Sequence, residues 1–195
     1  MMERKITGVV LAGGLGRRMG GIDKGLQPLH GQPMVHWVIE RLAPQVDELL
    51  INANRNQERH AGFGHPVVPD LIPGFAGPLA GLHAALTHAR HPLVATAPCD
   101  SPFLPRDLVA RLAQALFAAN AELAVASTLD QPHPVFCLCR RSLLPRLEAY
   151  LNAGGRGFRR WYSTLNAVEV GFDDAAAAFE NLNTREDLSR FDSAG

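Results

Sequence analysis

Between residues 9 and 24 the chain reads Val9-Val10-Leu11-Ala12-Gly13-Gly14-Leu15-Gly16-Arg17-Arg18-Met19-Gly20-Gly21-Ile22-Asp23-Lys24, an apolar run that breaks abruptly into glycines and cations. Glycines at 13, 14, 16, 20 and 21 let a ligand approach the main-chain amides closely. Arg17, Arg18 and Lys24 set fixed positive charge beside those amides. A phosphate oxygen asks for several donors and for neutralisation at once, so the pattern points to a polyphosphate ligand. The plainer alternative is a tight strand-to-helix turn with solvated arginines, yet five glycines forfeit much chain entropy for a turn alone. Two common phosphate-loop patterns fail. Lys24 is followed by Gly25 and not by Ser or Thr. After Gly14 and Gly16, the third glycine slot of a dinucleotide loop holds Met19.

The elements that must carry this loop follow from periodicity and breakers. Ile6 to Leu11 predicts a buried strand. Gln32-Pro33 predicts a helix with proline at its first position, and Val35, Val38, Ile39 and Leu42 form its apolar stripe. Leu49 to Ile51, His65 to Val68 and Leu93 to Ala97 predict further strands, and Gly77-Pro78 opens a helix through Leu79, Leu82 and Leu86. Strand and helix alternating in this way predict an α/β fold: a single-domain, Rossmann-like, mostly parallel sheet flanked by helices. Ligands of such sheets bind beyond the carboxyl ends of the strands. Gly13-Gly14, Asn52, Asp70 and Asp100 each fall just after a predicted strand, so one crevice collects all four. Asp100 suits Mg²⁺, which takes one or two carboxylates and completes its shell with substrate oxygens. An Asx-turn or cap before Pro102 explains Asp100 about as well, and a turn role is stronger still for Asp70.

In the second half, Pro105 predicts the start of a helix with Leu108, Leu112 and Leu116 on one face. Leu123 to Ser127 and Val135 to Cys139 predict strands joined by a loop over residues 130–134, which contains His133 and Pro134. Ser142 caps a helix ending at Gly154-Gly155, Ala167 to Val170 is a last strand, Ala175 to Ala178 reads as helix filler, and Thr184 with Asp187 resembles a capping box.

Composition narrows the functional classes. The 195 residues carry 19 Lys and Arg against 19 Asp and Glu, so there is no basic stripe for nucleic acid. No apolar run approaches a membrane span, and the residues before Gly14 lack the charge pattern and cleavage site of a signal peptide. A cytoplasmic location is therefore expected. Three cysteines, Cys99, Cys137 and Cys139, provide no disulfide framework and no metal-ligand spacing, and read as small buried hydrophobes.

One signature does fit the opening stretch: Leu-Ala-Gly-Gly-x-x-x-Arg-Met-Gly-Gly-x-Asp-Lys, met by Leu11 to Gly14, Arg18 to Gly21 and Asp23-Lys24. It resembles that of the nucleotidyltransferases, and specifically of the molybdenum cofactor guanylyltransferases. The resemblance extends through Asn52-Ala53-Asn54-Arg55, Pro69-Asp70, Gly77 to Gly81, Pro98 to Pro102, His133-Pro134 and Asn181 to Thr184, although a Thr common after His-Pro in that family is Val135 here. It implies transfer of GMP from GTP to molybdopterin with release of pyrophosphate. Leu11, Ala12, Gly13, Lys24, Asn52, Asp70 and Asp100 would contact GTP, with Gly14 completing the loop, and Asp100 would also hold Mg²⁺. Lys24, Arg18 and Asp100 are the expected catalytic groups. About residues 1–100 form the expected nucleotide half and about residues 101–195 the acceptor half, where His133 and Arg156 are candidates for acceptor binding. Implied partners are other molybdenum-cofactor biosynthesis proteins and recipient-enzyme chaperones, with neither nucleic acid nor membrane. A cytidylyltransferase, a sugar-nucleotide pyrophosphorylase and a nucleotide-binding module without turnover are the alternatives.

Overall fold

The computed structural model describes residues 4–14, 23–72, 77–129 and 131–182. A seven-stranded sheet has the order β5-β4-β1-β6-β8-β7-β9. Its strands are β1 (Ile6–Leu11), β4 (Glu48–Asn52), β5 (Val67–Val68), β6 (Leu93–Pro98), β7 (Leu123–Thr128), β8 (Gln131–Arg140) and β9 (Ala167–Gly171). β1 lies parallel to both β4 and β6, β5 lies parallel to β4, and β9 parallel to β7. Only β8 runs against its neighbours, β6 and β7. The expected mostly parallel sheet is therefore present, and β8 adds one reversal.

Alternation along the strands divides the core between the two faces. Val10, Ile51, Ala95, Ala124 and Leu138 face α1 (Met34–Leu42) and α4 (Leu108–Ala118). Val9, Leu50, Val94, Val125 and Cys137 face α3 (Pro78–His88), α5 (Leu144–Asn152) and α6 (Phe158–Tyr162). Cys137 and Cys139 share that second face, buried and free, as their spacing implies. No described helix is long and apolar enough to cross a membrane.

Several sequence expectations shift, among them the Ser142 cap, since Ser142 lies inside a 3₁₀ turn, Arg141–Leu143, and makes no capping bond to α5. Gln32-Pro33 does not begin α1. It forms β3, paired with β2 (Pro28–Leu29) through a two-residue turn in which His30 and Gly31 both take positive φ, the geometry that suits a tight hairpin. α4 starts at Leu108, three residues after Pro105, because the chain first makes a turn closed by Leu108 N–H donating to Pro105 O. The residues expected as a loop, His133 and Pro134 among them, belong to β8. Prolines 132 and 134 read as breakers, yet Pro132 stands in register opposite Ser127, and the β7–β8 register jumps from Val125↔Cys137 to Ala126↔His133, so the irregularity takes in Pro134 and its missing donor. The alanine run forms a 3₁₀ segment, Asp173–Phe179. Thr184 and Asp187 lie outside the described residues.

Leu112, on the inner face of α4, is fully buried. Leu112→Ala should destabilise the fold by about 2–5 kcal/mol, as buried leucine truncations do. Urea unfolding with an unchanged m-value checks this, and a loss under 1 kcal/mol would mean that the core collapses onto the gap.

Candidate active site

The sheet reverses its order of growth at β1. The chain runs from β1 outward to β4 and β5, then returns to lay β6 on the other side of β1. At the carboxyl end, Leu11 sits level with Asn52 on one side and Pro98 on the other. Ala12 N–H still donates to Asn52 O at 2.8 Å, and Cys99 N–H to Leu11 O at 3.1 Å. Beyond these bonds, Gly13 and Gly14 leave the sheet at the point where open α/β sheets bind ligands.

On the β4 side, two asparagines hold one carboxylate. Asn52 Nδ2 donates to Asp70 Oδ1 at 2.9 Å and to Val68 O at 3.2 Å. Asn54 Nδ2 donates to Asp70 Oδ2 at 2.8 Å and to Gly13 O at 3.1 Å, while Asp70 N–H donates back to Asn54 Oδ1 at 2.8 Å. Every polar group of Asn54 is thus committed, and its amide ties the glycine loop to Asp70. Both donors of Asn52 are spent as well, and its buried carbonyl oxygen lies close to Gly13 and Gly81. A Cβ on Gly81 would lie 2.7 Å from that carbonyl oxygen and 2.9 Å from Leu11 Cδ2, so α3 can seat against Asn52 only with glycine there. Sequence reasoning missed Asn54; the available signal was its place one residue after Ala53, which puts its side chain on the same side of the strand end as Asn52.

On the β6 side, Lys24 Nζ reaches Asp100 Oδ2 at 3.5 Å, with both side chains largely buried. Lys24 begins a 3₁₀ turn, Lys24–Leu26, and Gly25 rests on the Cys99–Asp100 turn: a Cβ there would come within 3.2 Å of Cys99 Cβ and Sγ. Burial pushes the Cys99 thiol up, so it stays protonated and acts as packing. Burial also raises the Asp100 carboxyl, and the Lys24 cation and its hydrogen bond offset only part of that shift. Asp23 differs. Burial would raise it too, but hydrogen bonds from His60 and Asn56 and the Leu26 N–H outweigh that and hold it below the usual carboxylate range.

From the second half, Leu182 N–H donates to Asp100 O at 3.0 Å, and the buried Ser101 hydroxyl donates to Asn181 Oδ1 at 2.8 Å. His133 is paired with Thr128 Oγ1 at 2.6 Å and stacks on Phe179 at 5.2 Å between centroids; burial lowers its pKa, favouring the neutral ring. Arg156 donates to the carbonyls of Leu151 and Gly155 at the end of α5. The structure therefore brings Leu11, Ala12 and Gly13 beside Asn52 and Asp70, with Gly14 next in the chain, where an added Cβ would meet neither, and Lys24 beside Asp100. Arg18 lies outside the described residues.

Among the described residues no group of three or more His, Cys, Asp or Glu side chains could cage a metal ion. Asp100 is a largely buried carboxylate at a strand end, paired with Lys24. That donor set fits Mg²⁺ when phosphate oxygens complete the shell, and does not fit a resident structural metal.

Residues 8–169 match a family model described as a MobA-like NTP transferase domain. A molybdenum cofactor guanylyltransferase of Cupriavidus taiwanensis is 56% identical over 188 residues, covering 94% of each chain. One from Shewanella putrefaciens is 49% identical over 190 residues, covering 97% of each. Among solved structures, molybdopterin-guanine dinucleotide biosynthesis protein A from Archaeoglobus fulgidus superposes with a TM-score of 0.80 at 26% identity, covering 96% of this chain and 97% of that one.

Because burial outweighs Lys24 at Asp100, the native chain holds a proton there more readily than the unfolded chain does. Stability is then lost as pH rises from the ordinary carboxylate value through the raised native one. Asp100→Asn should raise the melting temperature of the metal-free protein at pH 7 by about 2–4 °C, the shift that roughly 1 kcal/mol gives at this size. The gain should shrink below pH 4 or so, where both states carry the proton. A lower melting temperature at pH 7 would mean that the Lys24 pairing dominates instead.

Proposed function

Since the chain belongs to the MobA-like NTP transferase family, we propose that it transfers GMP from GTP to the phosphate of molybdenum-bearing molybdopterin, giving the guanine dinucleotide cofactor and pyrophosphate. The observation that carries this reading is the convergence of Gly13, Asn52, Asp70, Lys24 and Asp100 on the carboxyl end of the sheet around β1. An oxygen of the acceptor phosphate forms a bond to the α-phosphorus of GTP, and the bond from that phosphorus to the oxygen bridging to the β-phosphate breaks. The electron pair leaves with pyrophosphate. An acceptor that is already a phosphate anion asks for no general base, so positioning and charge stabilisation are the chemistry required.

In this reading the loop amides beyond Ala12 cradle the phosphates, and Lys24 neutralises charge that builds on the leaving group. Arg18 adds a second cation from the same loop. Asp100 would hold the divalent ion, for which we propose Mg²⁺, and the ion would supply Lewis-acid stabilisation of the charge that develops on the phosphates. Asp70 and the Asn52 carbonyl offer acceptors to the guanine N1–H and N2–H₂ edge. Asp70 keeps lone pairs beyond the two it gives to Asn52 and Asn54. Adenine presents the reverse edge and would leave these acceptors unpaired, a loss larger than that from a missing methyl. Residues from about 101 onward, with His133 stacked on Phe179 and Asn181 tied to Ser101, face the pterin. The reading extends to a cytoplasmic enzyme that hands its product to other cofactor-biosynthesis proteins or to chaperones of recipient enzymes.

Pyrophosphate release with molybdopterin, Mg²⁺ and each nucleoside triphosphate offered separately tests this function. GTP should exceed ATP and CTP in kcat/KM; if CTP wins, the chain is a cytidylyl sibling, and if no triphosphate turns over, the enzyme reading fails. Asp100→Ala should lower kcat by about 10²-fold or more, with a far smaller change in GTP affinity. Calorimetry should show Mg²⁺ binding only weakly to the free protein and tightly with GTP present. Micromolar Mg²⁺ affinity without nucleotide would contradict a site built from one carboxylate.

A further inference from the structure

Lys24 is preceded by a carboxylate that the chemistry above does not use. Asp23 Oδ2 receives two hydrogen bonds, both from one short helix, α2 (Gln57–Ala61), and the residue before it: Asn56 Nδ2 at 3.0 Å and His60 Nε2 at 3.0 Å. Asn56 and His60 are four apart, one helical turn, so both side chains reach the same oxygen from the same side. His60 is fully buried, and Asp23 is nearly so. Asp23 is ionised and can only accept, so Nε2 of His60 carries the hydrogen.

Two features set this grip apart from an ordinary helix cap or packing contact. Asn56 stands at the N-cap of α2 in the left-handed region, φ 47°, yet its side chain makes no bond to its own helix and reaches across to Asp23 instead. Among the described residues, the pair also leaves Asp23 Oδ1 and His60 Nδ1 buried without partners. Unpaired buried polar atoms destabilise a fold, and well-packed apolar side chains would serve stability better. What the grip does fix is the backbone just ahead of Lys24. Asp23 O accepts from Leu26 N–H at 3.3 Å, closing the turn whose Gly25 rests on Cys99 and whose lysine meets Asp100.

We propose that Asn56 and His60 are positioning residues that act through Asp23. They hold the start of the Lys24–Leu26 turn so that the lysine is aimed between Asp100 and the phosphates. This inference rests on Lys24 as a phosphate ligand. It also links the two sides of the crevice, because α2 follows directly from the Asn52–Asn54 end of β4. A displacement of the lysine ammonium by about 1 Å is enough to slow a step that depends on positioning.

The test combines a double-mutant cycle with amide hydrogen exchange on the full chain. His60→Leu fills the space and removes the donor; His60→Gln keeps an N–H at the Nε2 position. His60→Leu should lower kcat about tenfold with the GTP KM within about threefold, and His60→Gln should restore most of the loss. In a Lys24→Ala background, His60→Leu should cost under about twofold more, since residues acting through one group do not add. Exchange at the Leu26 and Gln27 amides should accelerate in His60→Leu and not in His60→Gln, at a temperature where both variants are folded. Full, multiplicative losses in the double variant would overturn the proposal, as would unchanged exchange at those amides. If the parent turns over no triphosphate, the proposed function fails while the exchange arm still decides whether the grip holds the turn.

Discussion

The register of β1 is the constraint on which the site depends. Leu11 lies level with Asn52 and with Pro98, and that single alignment sets the asparagines after β4 and the Cys99–Asp100 turn at the same height on either side of the glycines. A slip of one residue would exchange the two faces of β1, taking Val10 out of the core shared with α1 and Val9 out of the core shared with α3. Because both faces are packed, no neighbouring register is tolerable. The apolar core therefore fixes the positions of polar groups that it never touches.

Two carboxylates in this frame show how burial and partners set charge. Asp100 is pushed up, since one lysine does not replace the water it has lost. Asp23, also buried, is pulled down by two side-chain donors and a backbone N–H. The first keeps unfulfilled capacity for a cation. The second is already occupied by the protein and serves as an anchor. One residue type thus takes opposite shifts in neighbouring places, set by how far protein donors replace the lost water.

Much of this was legible in the sequence for reasons that can be stated. Strand ends were legible because apolar runs stopped at polar or glycine residues, and those ends are where parallel sheets gather their ligands; Asn52, Asp70 and Asp100 were found that way. The β2–β3 hairpin was missed because Gln32-Pro33 looks like a helix start, and only the positive φ of His30 and Gly31 reveals the turn. β8 was cut short because prolines argue against a strand, a rule that local register irregularity can suspend. The roles of Asn54 and His60 were not legible. Their partners Asp70 and Asp23 lie far away in sequence, and nothing in local spacing says which of many polar side chains will be brought together by the sheet and by α2.

The pairing of Ile6 with Leu93 also bears on the order in which the molecule comes into being. β1 is made long before one of its two neighbours, because Leu93 follows its partner Ile6 by 87 residues of chain. Until then β1 has an open edge, and Val9 and Val10 lack part of their cover. Loop-closure entropy of that length makes such non-local pairing slow, and unpaired parallel strands are prone to associate with other chains. The crevice cannot exist on a nascent chain shorter than Asp100. An expressed fragment ending before β6 should be an aggregation-prone polypeptide and not a small nucleotide-binding domain.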